Sequence, residues 1–523
     1  LLIMKKIFLQ IMLMLLCCMA VSQNPRLLKD VYPGTAGSSI QQIVKTTNFT
    51  FFNAEDDDPD LDRGLYRTDG TTAGTIKLDL VYPTYLSTKA DKLTALGDKI
   101  IFAGDNNGTG TYGEIWASDG TEAGTVALER FQPTITNRGP VLELVAMGGY
   151  VYYSVVANNN KTQIRRTDGT PAGTSLVYEF STYTTAPEIA ISKVINNILY
   201  FILYDRYGTG YDQVWRSDGT TSGTYVLRDL GTEYFGMGYF MEPVNGKICF
   251  MTGKIDPLVF SNSISVLFST DGTPAGTVPL KEFASTYNNN LYPAFASTGN
   301  TLYMAINDGA VGRELWKTDG SFAGTVLVAD INSGSASSNP ALLTVFNNQL
   351  YFSATTVAEG NELWKYDGSA ASLVKDINPG PANSIGSMVV SNNTLVLRAT
   401  TAASGSELWI SDGTYANTQQ VADINPGSAG SFPNVLTPGN PVYFSANNGI
   451  DGIELFIFDN SEGINGLHKI YVNDNSTSGD VFTTAVGDDA NPGTKASPVA
   501  TINYALSLAQ AGDTIYVDAG TYP

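Results

Sequence analysis

The sequence predicts an all-β fold: a closed β-propeller of four-stranded blades, with the start of a second β module after it. Three observations predict this. An Asp-Gly pair recurs at near-constant spacing, an aromatic residue stands three positions before it, and the two ends of the array carry complementary parts of one unit.

The pair recurs at Asp69, Asp119, Asp168, Asp218, Asp271, Asp319, Asp367 and Asp412, with a degenerate ninth copy at Asp459-Asn460, and successive copies lie 45 to 53 residues apart. A period near 49 falls in the range of propeller blades and solenoid repeats. Three residues before each Asp stand Tyr66, Trp116, Arg165, Trp215, Phe268, Trp316, Trp364, Trp409 and Phe456, so all five tryptophans share one position of the unit. One large ring per unit at a fixed strand position reads as inter-blade core; a sugar-stacking ladder is the alternative.

Each unit reads as four short strands, which in the seventh are residues 342–346, 350–354, 362–366 and 373–377. They are rich in Leu, Tyr, Phe and Val without strict polar alternation, as suits sheets covered on both faces. In Asp-Gly-Thr-x-x-Gly-Thr, seen at residues 119–125, the Asp side chain can accept backbone amides while Gly supplies a positive φ. Asn378-Pro379-Gly380 and Asn425-Pro426-Gly427 fit type II turns leading from the outer strand of one blade to the inner strand of the next.

Residues 27–31, before Pro33-Gly34, have the pattern of an outer strand with no hairpin partner, and the ninth unit ends at residues 455–458 with no outer strand after it. Pairing the two closes the ring and removes the exposed edges of an open array. Nine units predict nine blades; eight blades with one unit left over is the alternative.

The stretches Glu314-Leu315-Trp316-Lys317-Thr318-Asp319-Gly320, Glu362 to Gly368 and Glu407 to Thr414 resemble the ELWxxDGT repeat of exported bacterial proteins. The resemblance covers about residues 27–460 and implies export and a propeller-like architecture, without implying an activity. Early units depart from it, with Arg165 at the Trp position and Gly64 or Val266 where Glu is expected. Those units are expected to keep the fold but not a shared surface chemistry.

The chain opens with Lys5 and Lys6, an apolar run over residues 7–19 and a small-x-small site at Ala20-Val21-Ser22, which reads as a secretion signal over residues 1–22. A retained membrane helix is the weaker reading, since the run is short for a bilayer. Cys17 and Cys18 suggest a lipoprotein signal but lack the small residue expected before the cysteine. Cleavage leaves Cys249 as the one cysteine, so packing and not disulfides must stabilise the mature chain, read here as a monomer without a transmembrane segment.

After a linker over residues 461–468, residues 469–523 resemble the N-terminal cap of pectate-lyase-like right-handed parallel β-helix proteins. The resemblance rests on Asn491-Pro492-Gly493-Thr494, on residues 500–506 and on Gly512-Asp513-Thr514-Ile515-Tyr516-Val517. It implies a short amphipathic helix over residues 499–509, with Ile502, Ala505, Leu506 and Ala509 on its packing face. One rung and a cap should be marginal alone, so the protein is expected to continue beyond Pro523.

Charge and composition exclude several chemistries. Apolar residues make up 43% of the 523 and charged residues 15%, with a net charge of −20 that leader removal takes to −22. No basic patch offers itself to nucleic acid. The single histidine, His468, lies in the linker, and no phosphate-cradling Gly-rich loop occurs, so His-based triads and multi-His metal centres are excluded. No catalytic or cofactor-binding residues are assigned.

Carboxylates remain. Glu55, Asp56, Asp57, Asp58, Asp60 and Asp62 form an acidic loop in which Asp56, Asp58, Asp60 and Asp62 are the candidate Ca²⁺ ligands, although the spacing and central Gly of an EF-hand are missing. The loops at Asn307-Asp308-Gly309 and Asn447-Asn448-Gly449 read as turn hydrogen bonds. Two functions stay open: a secreted or cell-surface binding and adhesion protein taking glycan or protein, or the accessory propeller of an extracellular polysaccharide lyase whose β-helix lies beyond Pro523.

Overall fold

The fold is taken from a computed structural model, which describes residues 25–56, 64–78, 89–105, 113–131, 141–183, 186–204, 212–235, 240–254, 264–286, 294–461 and most of 469–508 and 514–522. The leader, the linker with His468, and Asp57, Asp58, Asp60 and Asp62 fall outside these residues.

Nine antiparallel sheets follow one another around a ring. Blade 7 shows the plan: Ala341–Phe346 innermost, then Gln349–Thr356, Gly360–Tyr366 and Ala371–Lys375 outermost. Each strand lies within two residues of its expected bounds at either end. The middle strands are the most deeply buried: all seven residues of Gly405–Ser411 are buried. That burial on both faces explains why the sequence does not alternate.

The ninth blade is made from both ends of the array. Arg26–Lys29 pairs antiparallel with Ile453–Phe458, with Leu27 opposite Phe456, and Ile453–Phe458 pairs in turn with Val442–Asn447. An Asn434–Ser445 bridge supplies the innermost rung. Tyr443, Leu455 and Ile457 of this blade then pack with Phe52, Ala54 and Tyr66 of blade 1, which closes a ring of nine. At the seam Gly37 and Gly452 have φ of +81° and +76°, and a Cβ on Gly37 would lie 2.5 Å from the Ile453 nitrogen, so the two backbones meet only because both residues are glycine.

The Asp-Gly turn does two jobs. Asp119 Oδ1 accepts the Thr121 N–H at 2.9 Å and its hydroxyl at 2.7 Å, while Ser118 and Thr125 share a buried hydroxyl pair at 2.7 Å. The same network recurs around Asp69, Asp168, Asp218, Asp271, Asp319 and Asp412. The Gly carbonyl of the turn then accepts a cation from the preceding blade: Arg67 to Gly120 at 2.7 Å, Lys247 to Gly320 at 3.2 Å and, across the seam, Arg26 to Gly70 at 3.0 Å.

The aromatic position lies in the third strand of each blade, as expected of core: Trp116, Trp215, Trp316 and Trp409 are buried, and Trp364 is half-buried. Arg165 replaces the ring in blade 3 with an ion pair to Glu129 of blade 2, and the Tyr153 hydroxyl donates to the same carboxylate at 2.6 Å.

In the C-terminal part Lys469–Val472 pairs in parallel with Thr514–Val517. The helix between them, described over Ile502–Leu508, begins three residues later than expected, and its face needs correction: Ala505 is buried against Val472 and Val499, but Ile502 is 36% and Leu506 59% exposed. Among the described residues nothing packs over that side, so the amphipathic pattern is not matched by burial. Val499 is not helical but bridges Val472. Ala509 lies outside the described residues.

Candidate functional site: the variable end of the ring

Strands alternate in direction, so the ring has two ends of different make. One end holds the links between third and fourth strands, the Asp-Gly loops. These contain seven residues in blades 1 to 6 and in blade 8, and four in blade 7. It also holds the hairpins between first and second strands, mostly two-residue turns such as Asn347-Asn348, both at positive φ as a tight hairpin requires.

The other end carries the blade-to-blade crossovers and the links between second and third strands. Those links range from three residues in blades 7 and 8 to nine in blades 1 and 5. The acidic loop is the nine-residue link of blade 1. The Asn307 and Asn447 loops lie at this end too and make turn bonds as expected: Gly309 donates to Asn307 at 2.9 Å and Gly449 to Asn447 at 2.7 Å.

Beneath this variable surface lies a row of buried glutamates, two residues before the aromatic position. Glu314 accepts the Ile331 N–H at 2.9 Å, the Ser338 N–H at 2.6 Å and the Ser338 hydroxyl at 2.5 Å. Glu362 does the same with Ile377, Asn378 and Ser384, and Glu407 with Ile424, Asn425 and Ser431. Each clamps the crossover to the following blade. In blade 9 Glu454 takes the Val31 N–H at 2.8 Å and the Tyr32 N–H at 3.3 Å.

All four are fully buried, and burial raises each carboxyl above its ordinary range, reaching about 7 for Glu454; the donated hydrogen bonds pull the other way. The sequence marks these glutamates but not their role. The signal was there in the serine that follows each Asp-Ile-Asn by a few residues, since a buried carboxylate needs donors.

Early blades use the position differently. Glu114 takes the Trp116 indole N–H at 3.0 Å and Arg130 at 2.7 Å, and Gln213 takes the Trp215 indole at 3.0 Å. Where the glutamate turns to the crossover, the indole nitrogens of Trp316, Trp364 and Trp409 have no hydrogen-bond partner.

Of the candidate cation ligands, Asp56 is described: its Oδ2 lies 2.5 Å from both Lys77 Nζ and the Tyr66 hydroxyl. Asp58, Asp60 and Asp62 lie outside the described residues. Among the described residues no three His, Cys, Asp or Glu side chains converge as metal ligands would. A cavity of about one water molecule lies between blades 3 and 4, where the Ser154 hydroxyl lacks a partner.

This architecture defines the chain as a nine-bladed β-propeller with a short parallel β module after it. Residues 485–523 match a family described as a protein of unknown function, DUF1565. No curated protein matches. Among solved structures, the chain is similar to a puromycin hydrolase at 10% identity and a TM-score of 0.37, covering 68% of this chain and 58% of that one, so it spans little more than half of that enzyme. It is also similar to the β-propeller domain of the Trilobed protease from Pyrococcus furiosus (11% identity, TM-score 0.37, 75% of this chain and 98% of that one) and to Sqt1 of Saccharomyces cerevisiae (8%, 0.39, 72% and 96%). The fold assignment rests on the strand pairing itself.

Proposed function

We propose that the protein is a secreted or cell-surface bacterial binding protein that presents glycan- or protein-recognising loops on the variable end of a rigid ring. One observation carries this reading: at one end the Asp-Gly link has seven residues in every blade that has one except blade 7, whereas at the other the links between second and third strands vary threefold in length. A repeat scaffold that holds one end fixed and varies the other is built for display. The turn aspartates and the clamping glutamates are engaged in backbone bonds, which leaves recognition to the loops. The test is a glycan array probed with the full chain, with and without Ca²⁺, beside a variant whose residues 55–63 are replaced by a Gly-Ser link. Binding reduced by the replacement supports the reading; binding unchanged by replacing every variable link contradicts it.

A second reading makes the propeller accessory to a polysaccharide-degrading β-helix. The parallel pairing of Lys469–Val472 with Thr514–Val517 supports it. Lyase activity in a chain extended past Pro523, retained when the propeller is removed, would favour it.

A further inference from the structure

We propose that the seam of the ring is a proton-controlled latch: proton uptake by the Glu454 carboxyl fastens the N-terminal outer strand, and proton loss loosens it. The geometry is particular to this blade. Glu314, Glu362 and Glu407 clamp a continuous chain, whereas Glu454 clamps residues that reach it only by closing the ring. The strand it secures, Arg26–Lys29, has four residues and a register irregularity.

The charges around the carboxyl favour its neutral form. Asp30, one residue before Val31, repels it. Asp30 is itself raised by burial and by Asp451 in the Glu454 hairpin, and lowered by Lys29. From blade 1 the neighbours are Ser38, whose hydroxyl donates to the Ile453 carbonyl and whose side chain also hydrogen-bonds the Glu454 carboxyl, and Glu55, whose N–H binds the Ser38 carbonyl; Tyr32 contributes its N–H. Asp30 Oδ1 is buried with no hydrogen-bond partner. A proton taken up by Glu454 removes the like-charge repulsion with Asp30, while the unprotonated Glu454 oxygen still accepts from the strand it secures. Burial placing the Glu454 titration near 7 puts the change where extracellular pH varies.

The test is hydrogen exchange by mass spectrometry on the full chain at pH of about 5.5 and about 8.5, corrected for intrinsic rates, for wild type, Glu454→Gln, Asp30→Asn and Glu362→Gln. Wild type and Glu362→Gln are expected to lose protection about tenfold or more over residues 26–32 at the higher pH. Glu454→Gln, permanently neutral, should hold constant protection there, and Asp30→Asn, which removes the charge that raises Glu454, should move the loss to lower pH; a move to higher pH counts against the proposal. Wild-type protection that does not change with pH, or an equal loss in Glu454→Gln, overturns the proposal. If the Gln variant does not fold, the wild-type and Asp30→Asn profiles decide.

Discussion

The Glu454 carboxylate accepts the Val31 N–H at 2.8 Å across 423 positions of sequence. That contact joins Arg26–Lys29, the first described strand, to the last blade and so closes the ring. Glu454→Ala should lower stability by about 2 kcal/mol, since the Val31 and Tyr32 amides lose their acceptor and a cavity opens. Urea unfolding followed by tryptophan fluorescence measures it.

Burial raises Glu314, Glu362, Glu407 and Glu454 alike. A carboxyl raised on folding contributes stability that is complete below its unfolded value near 4.5 and is lost as pH rises through its folded value. For Glu454, moving from 4.5 to about 7, the loss is about 3 kcal/mol at most. The urea midpoint of the wild type should therefore fall between pH of about 5 and about 8, and the fall should be smaller in Glu454→Gln.

The indole bonds make a sharper contrast. Trp116 donates to Glu114 at 3.0 Å, whereas the Trp316 indole nitrogen has no hydrogen-bond partner. Both rings are buried, so replacement by Phe removes similar volume at each. Trp116→Phe should cost about 1 kcal/mol more than Trp316→Phe, because it takes a donor from the buried Glu114. Paired melting curves at one pH test the difference.

Gly120 sits at φ +89°, and a Cβ there would lie 2.7 Å from the Phe49 ring of the preceding blade. Gly120→Ala should destabilise by about 1–3 kcal/mol, through left-handed strain and crowding at the blade 1–2 interface. Gly34→Ala, at φ +107° with open space around the added carbon, should cost less.

Much of this is legible in the amino-acid sequence. The Asp-Gly turns, the buried aromatic position and the borrowed outer strand follow from local chemistry repeated in register, where each copy restates the same constraint. What the sequence did not disclose is long-range. Nothing near Glu314 says that its acceptors are spent on Ile331 and Ser338, because those donors come from a crossover whose path depends on the next blade. Arg165 likewise reads as a lost aromatic until its partner Glu129, 36 residues earlier, is seen across the interface. The helix face failed for the opposite reason: periodicity identified a side that could pack, and the described structure packs only Ala505.

Ring closure by the N-terminal strand is the claim on which the rest stands, and cross-linking tests it most directly. Leu27 and Phe456 are opposite one another on neighbouring strands. With Cys17, Cys18 and Cys249 replaced by Ser, the pair Leu27→Cys and Phe456→Cys should oxidise within one molecule to a circular species of faster mobility on non-reducing gels. A protein that folds but forms no intramolecular cross-link, or links only between molecules, contradicts the closed nine-bladed ring.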